Sequence, residues 1–162
     1  MIDLENILVE VKKLAKEVGR IQLEKSKQND FAVETKSSDI DLVTEVDGFS
    51  EELIINKIEH SFPEHSILAE EGGTVDRDSD YTWVIDPLDG TNNFASGYPI
   101  FCVSIALRYQ EEEVLGVVYL PKLEEMFSAI KGSGAYLNGQ KLSVSTKDKL
   151  GQCLLSTGFP YD

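Results

Sequence analysis

The sequence is short of the residues that build disulfide scaffolds and transition-metal sites. Its 162 residues include two cysteines, Cys102 and Cys153, and two histidines, His60 and His65. Two cysteines, both in apolar runs, form neither a disulfide framework nor a zinc motif, and are expected to be buried, reduced thiols. The histidine spacing suits no zinc site either, so both are expected at the surface, partly exposed. Basic residues are also scarce: 15 Lys and Arg stand against 29 Asp and Glu, a net charge of −14. Such a chain repels nucleic acid and anionic membrane surfaces, which excludes both as partners. No apolar run approaches the length of a membrane span, and the N-terminal stretch MIDLENILVEVKKLAKEVGR is too charged for a signal peptide. A cytoplasmic location is the expectation. Repeats, low-complexity tracts and long linkers are missing too, so residues 1–162 read as a single domain.

The one tryptophan opens the most informative stretch, Trp83 to Phe94 (WVIDPLDGTNNF). Trp83, Val84 and Ile85 read as the end of a buried strand. Asp86 and Asp89 then flank Pro87, and Gly90-Thr91 stand where a helix can begin. Carboxylates gathered at a strand end are costly unless a cation sits among them. A helix start beside them offers free backbone N–H groups to phosphate oxygens. Against this stands a plainer reading, in which DPLDG is an acidic β-turn built from ordinary turn residues.

Hydrophobic periodicity supplies the frame. Leu4, Ile7, Leu8, Val11, Leu14, Ala15, Val18 and Ile21 predict an amphipathic helix over residues 3–24, followed by a polar connection, Lys25 to Asp30. Phe31 to Thr35 reads as a short strand. A second helix is expected from Asp47 to Ser61, closed by Pro63. Strands are expected at Ile67 to Ala69 and Thr82 to Ile85. An antiparallel meander then runs through Phe101–Tyr109, Val114–Tyr119, Met126–Lys131 and Ala135–Leu137, with a tight turn at Asn138-Gly139. Leu154 to Thr157 is a further short apolar segment. Two helices are too few to cover both faces of such a sheet, and the chain ends at GFPYD without a docked element, so it reads as the front portion of a larger fold.

Three carboxylate clusters punctuate this frame. Asp41 to Asp47 (DLVTEVD) lies at the start of the second helix, where Thr44 and Asp47 are equally good helix caps. Glu70-Glu71 follows the strand ending at Ala69; a ligand pair and a solvated loop are both open readings. Asp86 and Asp89 form the third and can converge on two cations roughly 3.5–4 Å apart. All these donors are hard oxygens, which selects Mg²⁺, with Mn²⁺ or Ca²⁺ as substitutes, over zinc or copper. Two imitations fail. Asp76, Asp78 and Asp80 resemble the start of an EF-hand loop, but Tyr81 replaces the required Gly and Pro87 the bidentate Glu. Asp89-Gly90-Thr91 resembles a haloacid-dehalogenase motif, but its nucleophile position holds Pro87.

Taken together, these segments resemble the inositol monophosphatase family of Mg²⁺-dependent, lithium-sensitive sugar phosphatases. Trp83 to Phe94 is similar to that family's first signature, and Asp41 to Asp47 to its D-x-V-T-x-x-D segment, with Lys36-Ser37-Ser38 upstream. Ile67 to Glu71 resembles its strand with paired glutamates, and Lys131 to Leu142 its glycine-rich region. The resemblance implies an α+β fold, the front portion of the layered αβαβα sandwich shared with fructose-1,6-bisphosphatase. The family's later W-D-x-A-A-G segment has no counterpart, since Trp83 is the only tryptophan. By resemblance, Glu70, Asp86, Asp89 and the Leu88 carbonyl bind metal at two or three Mg²⁺ sites. Asp47 and Thr91, with Glu70, form the catalytic set, and Gly90, Thr91 and Asp89 contact the substrate. Glu71 supports this set, and Lys36 either neutralises it or is solvated. The implied reaction converts myo-inositol 1-phosphate to inositol and phosphate. The alternatives are a sister phosphatase acting on fructose 1,6-bisphosphate or adenosine 3′,5′-bisphosphate, and a non-catalytic metal-binding fragment. A small phosphate ester and a second copy of the chain, as a homodimer, are the expected partners.

Overall fold

The computed structural model describes residues 2–28, 32–35 and 42–157. Phe31, Lys36, Ser37, Ser38, Asp41 and the terminal GFPYD lie outside these residues. The order is α1 (Leu4–Gln28), β1 (Val33–Thr35), β2 (Leu42–Thr44), α2 (Glu45–Ser61), β3 (Ser66–Ala69), β4 (Gly73–Val75) and β5 (Tyr81–Asp89). Then follow α3 (Thr91–Ala95), β6 (Cys102–Tyr109), β7 (Glu112–Leu120), β8 (Glu125–Ile130), β9 (Gly134–Leu137) and β10 (Gln140–Lys141). The fold is α+β. Its main sheet has eight strands in the order β10-β9-β8-β7-β6-β5-β3-β4, antiparallel except for the β3–β5 pair. The expected meander is this run from β6 to β9, and Asn138 (φ 49°) and Gly139 (φ 82°) form the two-residue turn before β10.

Several boundaries differ from the sequence reading. Helix α1 runs on through Lys25, because its last-turn lysines favour a helix C-terminus and Lys25 Nζ pairs with Glu45 at 3.3 Å. Strand β5 continues beyond Ile85 to Asp89, and β4, three residues opening on Gly73, is too short to carry a periodic signal. Leu154 to Thr157 forms no strand; Leu154 is 98% exposed. Cys153 beside it is exposed, not buried, as are its neighbours over 151–157. His65 is buried, where His60 is exposed. It accepts the Trp83 indole N–H at 3.1 Å and lies between the Phe62 and Tyr81 rings, with centroids at 5.1 and 4.8 Å. Burial lowers its pKa.

One face of the sheet carries the core. Val11, Ala15 and Val18 of α1 and Ile54 and Ile58 of α2 pack on Ile67, Trp83, Ile85, Val103, Ile105, Leu107 and Val117. Trp83 is 0% exposed at the centre. Truncating it to Ala would cost about 3–5 kcal/mol. Gly19 is required where α1 crosses β7, since a Cβ would stand 2.7 Å from the Tyr119 ring. A second cluster, Val46, Leu88, Phe94 and Phe101, joins α2 and α3 to the end of β5. Among the described residues no helix is long and apolar enough to cross a membrane.

The opposite face is different. Leu68, Val84 and Ala106 occupy adjacent register positions on it, and Val118 and Phe127 pair in the next row. Both long helices place their buried residues against the other face. Leu68 is consequently exposed, and its neighbours are partly so. A contiguous apolar strip of this kind drives association. The 162-residue chain is therefore expected to bind a hydrophobic dye and to self-associate in sedimentation experiments. Val118→Lys should lower both signals with an unchanged far-UV circular dichroism spectrum; unaltered association would place the contact elsewhere.

Candidate active site

The site begins where the two parallel strands end. Ala69 of β3 lies beside Ile85 of β5, and the Glu70 N–H donates to the Ile85 carbonyl at 3.2 Å. Glu70 and Asp86 therefore leave the pairing as neighbours, at the carboxyl ends of parallel strands where ligands collect. Side chains alternate along a strand, so Asp86 and Asp89 would normally face opposite ways. They do not, because β5 carries a bulge. Asp86 lies opposite Ser104 and Asp89 opposite Cys102, so β6 advances one residue less than β5 over this stretch. The extra residue turns Asp89 onto the face of Asp86. Pro87 suits the bulge because it has no N–H to lose from the ladder.

The charge gathered here shows in Asp86. Burial first, then the charges of Glu70 and Asp89, and a hydrogen bond with Glu70 push its pKa up to about 7. The Leu88 N–H, 3.2 Å from Asp86 Oδ1, opposes the shift. Glu70 and Asp89 are themselves exposed, so the group opens to solvent. Cys102, distant in sequence, joins it: its Sγ–H donates to Asp89 Oδ2 at 3.4 Å. Burial, and then Asp89, push this thiol up to about 12, so it is a neutral neighbour and not a soft ligand.

Asp47 and Thr91 meet despite their separation in sequence. The Thr91 hydroxyl lies 2.8 Å from Asp47 Oδ1 and 3.0 Å from the Leu88 carbonyl. It has one hydrogen for two acceptors, and the carboxylate is the stronger. The other Asp47 oxygen, Oδ2, accepts the Thr44 N–H at 2.8 Å and the Thr44 hydroxyl at 2.5 Å. Thr44 Oγ1 in turn accepts the Val46 N–H at 3.2 Å, closing a capping box at the start of α2. One buried carboxylate thus serves as helix cap and as hydrogen-bond partner of Thr91. Gly90 takes φ +91° ahead of α3, and a Cβ there would stand 3.0 Å from the Ile100 carbonyl. Gly90, the N-cap of α3, contributes no side-chain cap.

Two supports were invisible in the sequence because neither belongs to a motif. Glu51, buried on α2, accepts the Glu71 N–H through Oε2 at 2.9 Å. Its Oε1 stands 2.7 Å from where a Cβ on Gly72 would lie, so the turn after Glu70 closes tightly around this carboxylate. Gln22, on α1, donates its side-chain N–H to the Pro87 carbonyl at 2.8 Å. Among the described residues, no three acidic, thiol or imidazole groups close into a finished ligand shell. The donors that do approach, Glu70 and Asp86 with Asp89 acting on Asp86, are hard oxygens carrying excess negative charge. Such a set fits a hard divalent cation.

The chain matches the family model described as the inositol monophosphatase family over residues 3–162. It is 42% identical to an inositol monophosphatase of Dictyostelium discoideum, over 99% of this chain and 60% of that protein. The structure of the extragenic suppressor protein suhB from Bartonella henselae superposes with a TM-score of 0.83 and 35% identity, over 91% of this chain and 56% of that one. An IMPase/NADP phosphatase complexed with Mg²⁺ and phosphate superposes with a TM-score of 0.77 and 29% identity, over 85% of this chain and 52% of that one. The chain thus spans little more than half the length of these relatives. It belongs to the inositol monophosphatase family.

Proposed function

We propose that the chain carries the cation-binding and water-activating portion of a phosphate monoesterase, with myo-inositol 1-phosphate as the substrate. The observation that carries this reading is the gathering of Glu70, Asp86 and Asp89 at the ends of β3 and β5, with Thr91 and Asp47 paired alongside at 2.8 Å. Glu70, Asp86, Asp89 and the Leu88 carbonyl would hold Mg²⁺. When bound, the cation supplies Lewis-acid activation of water and neutralises charge on the ester.

The chain's own residues account for the remaining chemistry. Thr91 Oγ1 gives its hydrogen to Asp47 and keeps lone pairs free to accept one from a water molecule. Proton transfer then runs from water to Thr91 Oγ1 and from there to Asp47 Oδ1, with Oδ2 anchored by Thr44. Asp47 is 1% exposed, which keeps bulk water from competing for that hydrogen bond. Backbone N–H groups of Gly90 and Thr91, at the start of α3, would bind the phosphate oxygens, and Asp89 would orient the ester. The net charge of −14 disfavours a polyanionic substrate such as nucleic acid and suits a small ester brought in with its cation.

The substrate and the proton path are tested in a chain extended to the length of its relatives. Phosphate release from inositol 1-phosphate should exceed that from fructose 1,6-bisphosphate and adenosine 3′,5′-bisphosphate. Thr91→Val should lower kcat by about 10²-fold or more, with Mg²⁺ binding retained. Equal turnover of all three esters would reject the substrate, and a wild-type rate in the variant would reject the path. The unextended 162-residue chain is expected to hydrolyse inositol 1-phosphate little or not at all.

The raised Asp86 pKa gives a second expectation. Its folded-state value lies above the ordinary 3.8, so the folded chain retains a proton that the unfolded chain releases. Without divalent cation, stability should therefore fall as pH rises from near 3.8 to about 7. Mg²⁺ competes with that proton, so its stabilising effect should be larger at about pH 8 than at about pH 5. Thermal unfolding of the wild type and Asp86→Asn checks both. The variant should lose much of the pH slope and the Mg²⁺ response while remaining folded; an unchanged Mg²⁺ response would remove Asp86 from the site.

A further inference from the structure

Gln22 is among the largest side chains that α1 buries completely, at 0% exposure. A primary amide in an apolar interior is costly unless bonded. Its N–H group meets the Pro87 carbonyl at 2.8 Å and lies 3.4 Å from Ser50 Oγ, yet its Oε1 has no hydrogen-bond partner among the described residues. A leucine or methionine would fill the space without that penalty. What the amide provides is a donor for a bulge carbonyl, in a stretch where the strand ladder is locally broken.

The peptide it grips is informative. The Pro87 carbonyl and the Leu88 N–H belong to one rigid plane. The carbonyl end is fixed by Gln22, and the N–H end donates to Asp86 Oδ1 at 3.2 Å. The next carbonyl along, that of Leu88, lies 3.0 Å from the Thr91 hydroxyl oxygen. We propose that Gln22 is a positioning residue that sets the Pro87–Leu88 peptide plane, and through it the aim of the Asp86 carboxylate and the Leu88 carbonyl at a divalent cation. The inference rests on the reading of these groups as cation ligands. It assigns the long first helix a part in cation affinity beyond its part in the core.

The test is calorimetric titration of the 162-residue chain with Mn²⁺ and Mg²⁺. Gln22→Met, close in length and volume but without a donor, should weaken binding by about tenfold, as loss of a partner behind a metal ligand commonly does. Val18→Ala, on the same helix, removes core contacts without touching the bulge; it should lower the unfolding midpoint and leave cation affinity within about twofold of wild type. Equal affinity in wild type and Gln22→Met, or an equal loss in Val18→Ala, would overturn the positioning role alone. A wild-type chain that binds neither cation would overturn the ligand assignment and this inference with it. A measurement on the unaltered chain keeps the proposal open to refutation whether or not the variants fold. In ¹⁵N NMR spectra, Mg²⁺ should shift both the Gln22 side-chain amide and the Leu88 backbone amide. Unmoved signals would contradict it.

Discussion

The bulge at Pro87–Leu88 decides what this sheet can do. A regular β5 would send Asp86 and Asp89 to opposite faces, one of them toward the helices. Displacing the register by one residue puts both on the open face, beside Glu70 at the end of the parallel β3. The cost falls on Asp86, whose carboxyl is pushed up to about 7 by burial and then by the charges of Glu70 and Asp89. A cation bound there would relieve that cost, so the same feature would disfavour the cation-free fold and supply affinity.

Around the bulge, the fold spends its polar interior on alignment. Asp47 closes the capping box of α2 with one oxygen and receives Thr91 with the other, tying a helix end to the first residue of α3. Glu51 fixes the turn after Glu70, and Gln22 fixes the bulge itself. Each of these three residues sits on a long helix packed against the core, so the site's turns are referenced to the core through those helices. The site also opens on the face that the helices leave bare. Asp86 and Ser104 share a row with Val118 and Phe127, so the acidic end of β5 and the apolar strip are continuous.

Periodicity and turn chemistry made much of this legible. The α1 stripe, the β6–β9 meander, the Asn138-Gly139 turn and the three acidic clusters follow from patterns within a few residues of one another. What stayed hidden depends on pairing across the sheet. The bulge exists only relative to β6, so the sequence reads as a turn where the structure has a strand that shifts register. Cys102 is near Asp89 only because those strands pair, and Gln22 looks like an ordinary polar residue on a helix. His65 reads as a surface residue because nothing local announces the Trp83 N–H it accepts. Cys153 reads as a core residue because its apolar neighbours Leu154 and Leu155 suggest burial that the described structure does not provide.

The most direct test is a crystal grown with Mn²⁺ and measured for anomalous scattering. The bulge should place a peak within about 2.6 Å of carboxylate oxygens from Glu70, Asp86 and Asp89, with the Leu88 carbonyl at similar range. A single strong peak elsewhere, or one that engages Asp86 while Asp89 turns away to the helix face, would contradict the view that the register shift builds the cation site.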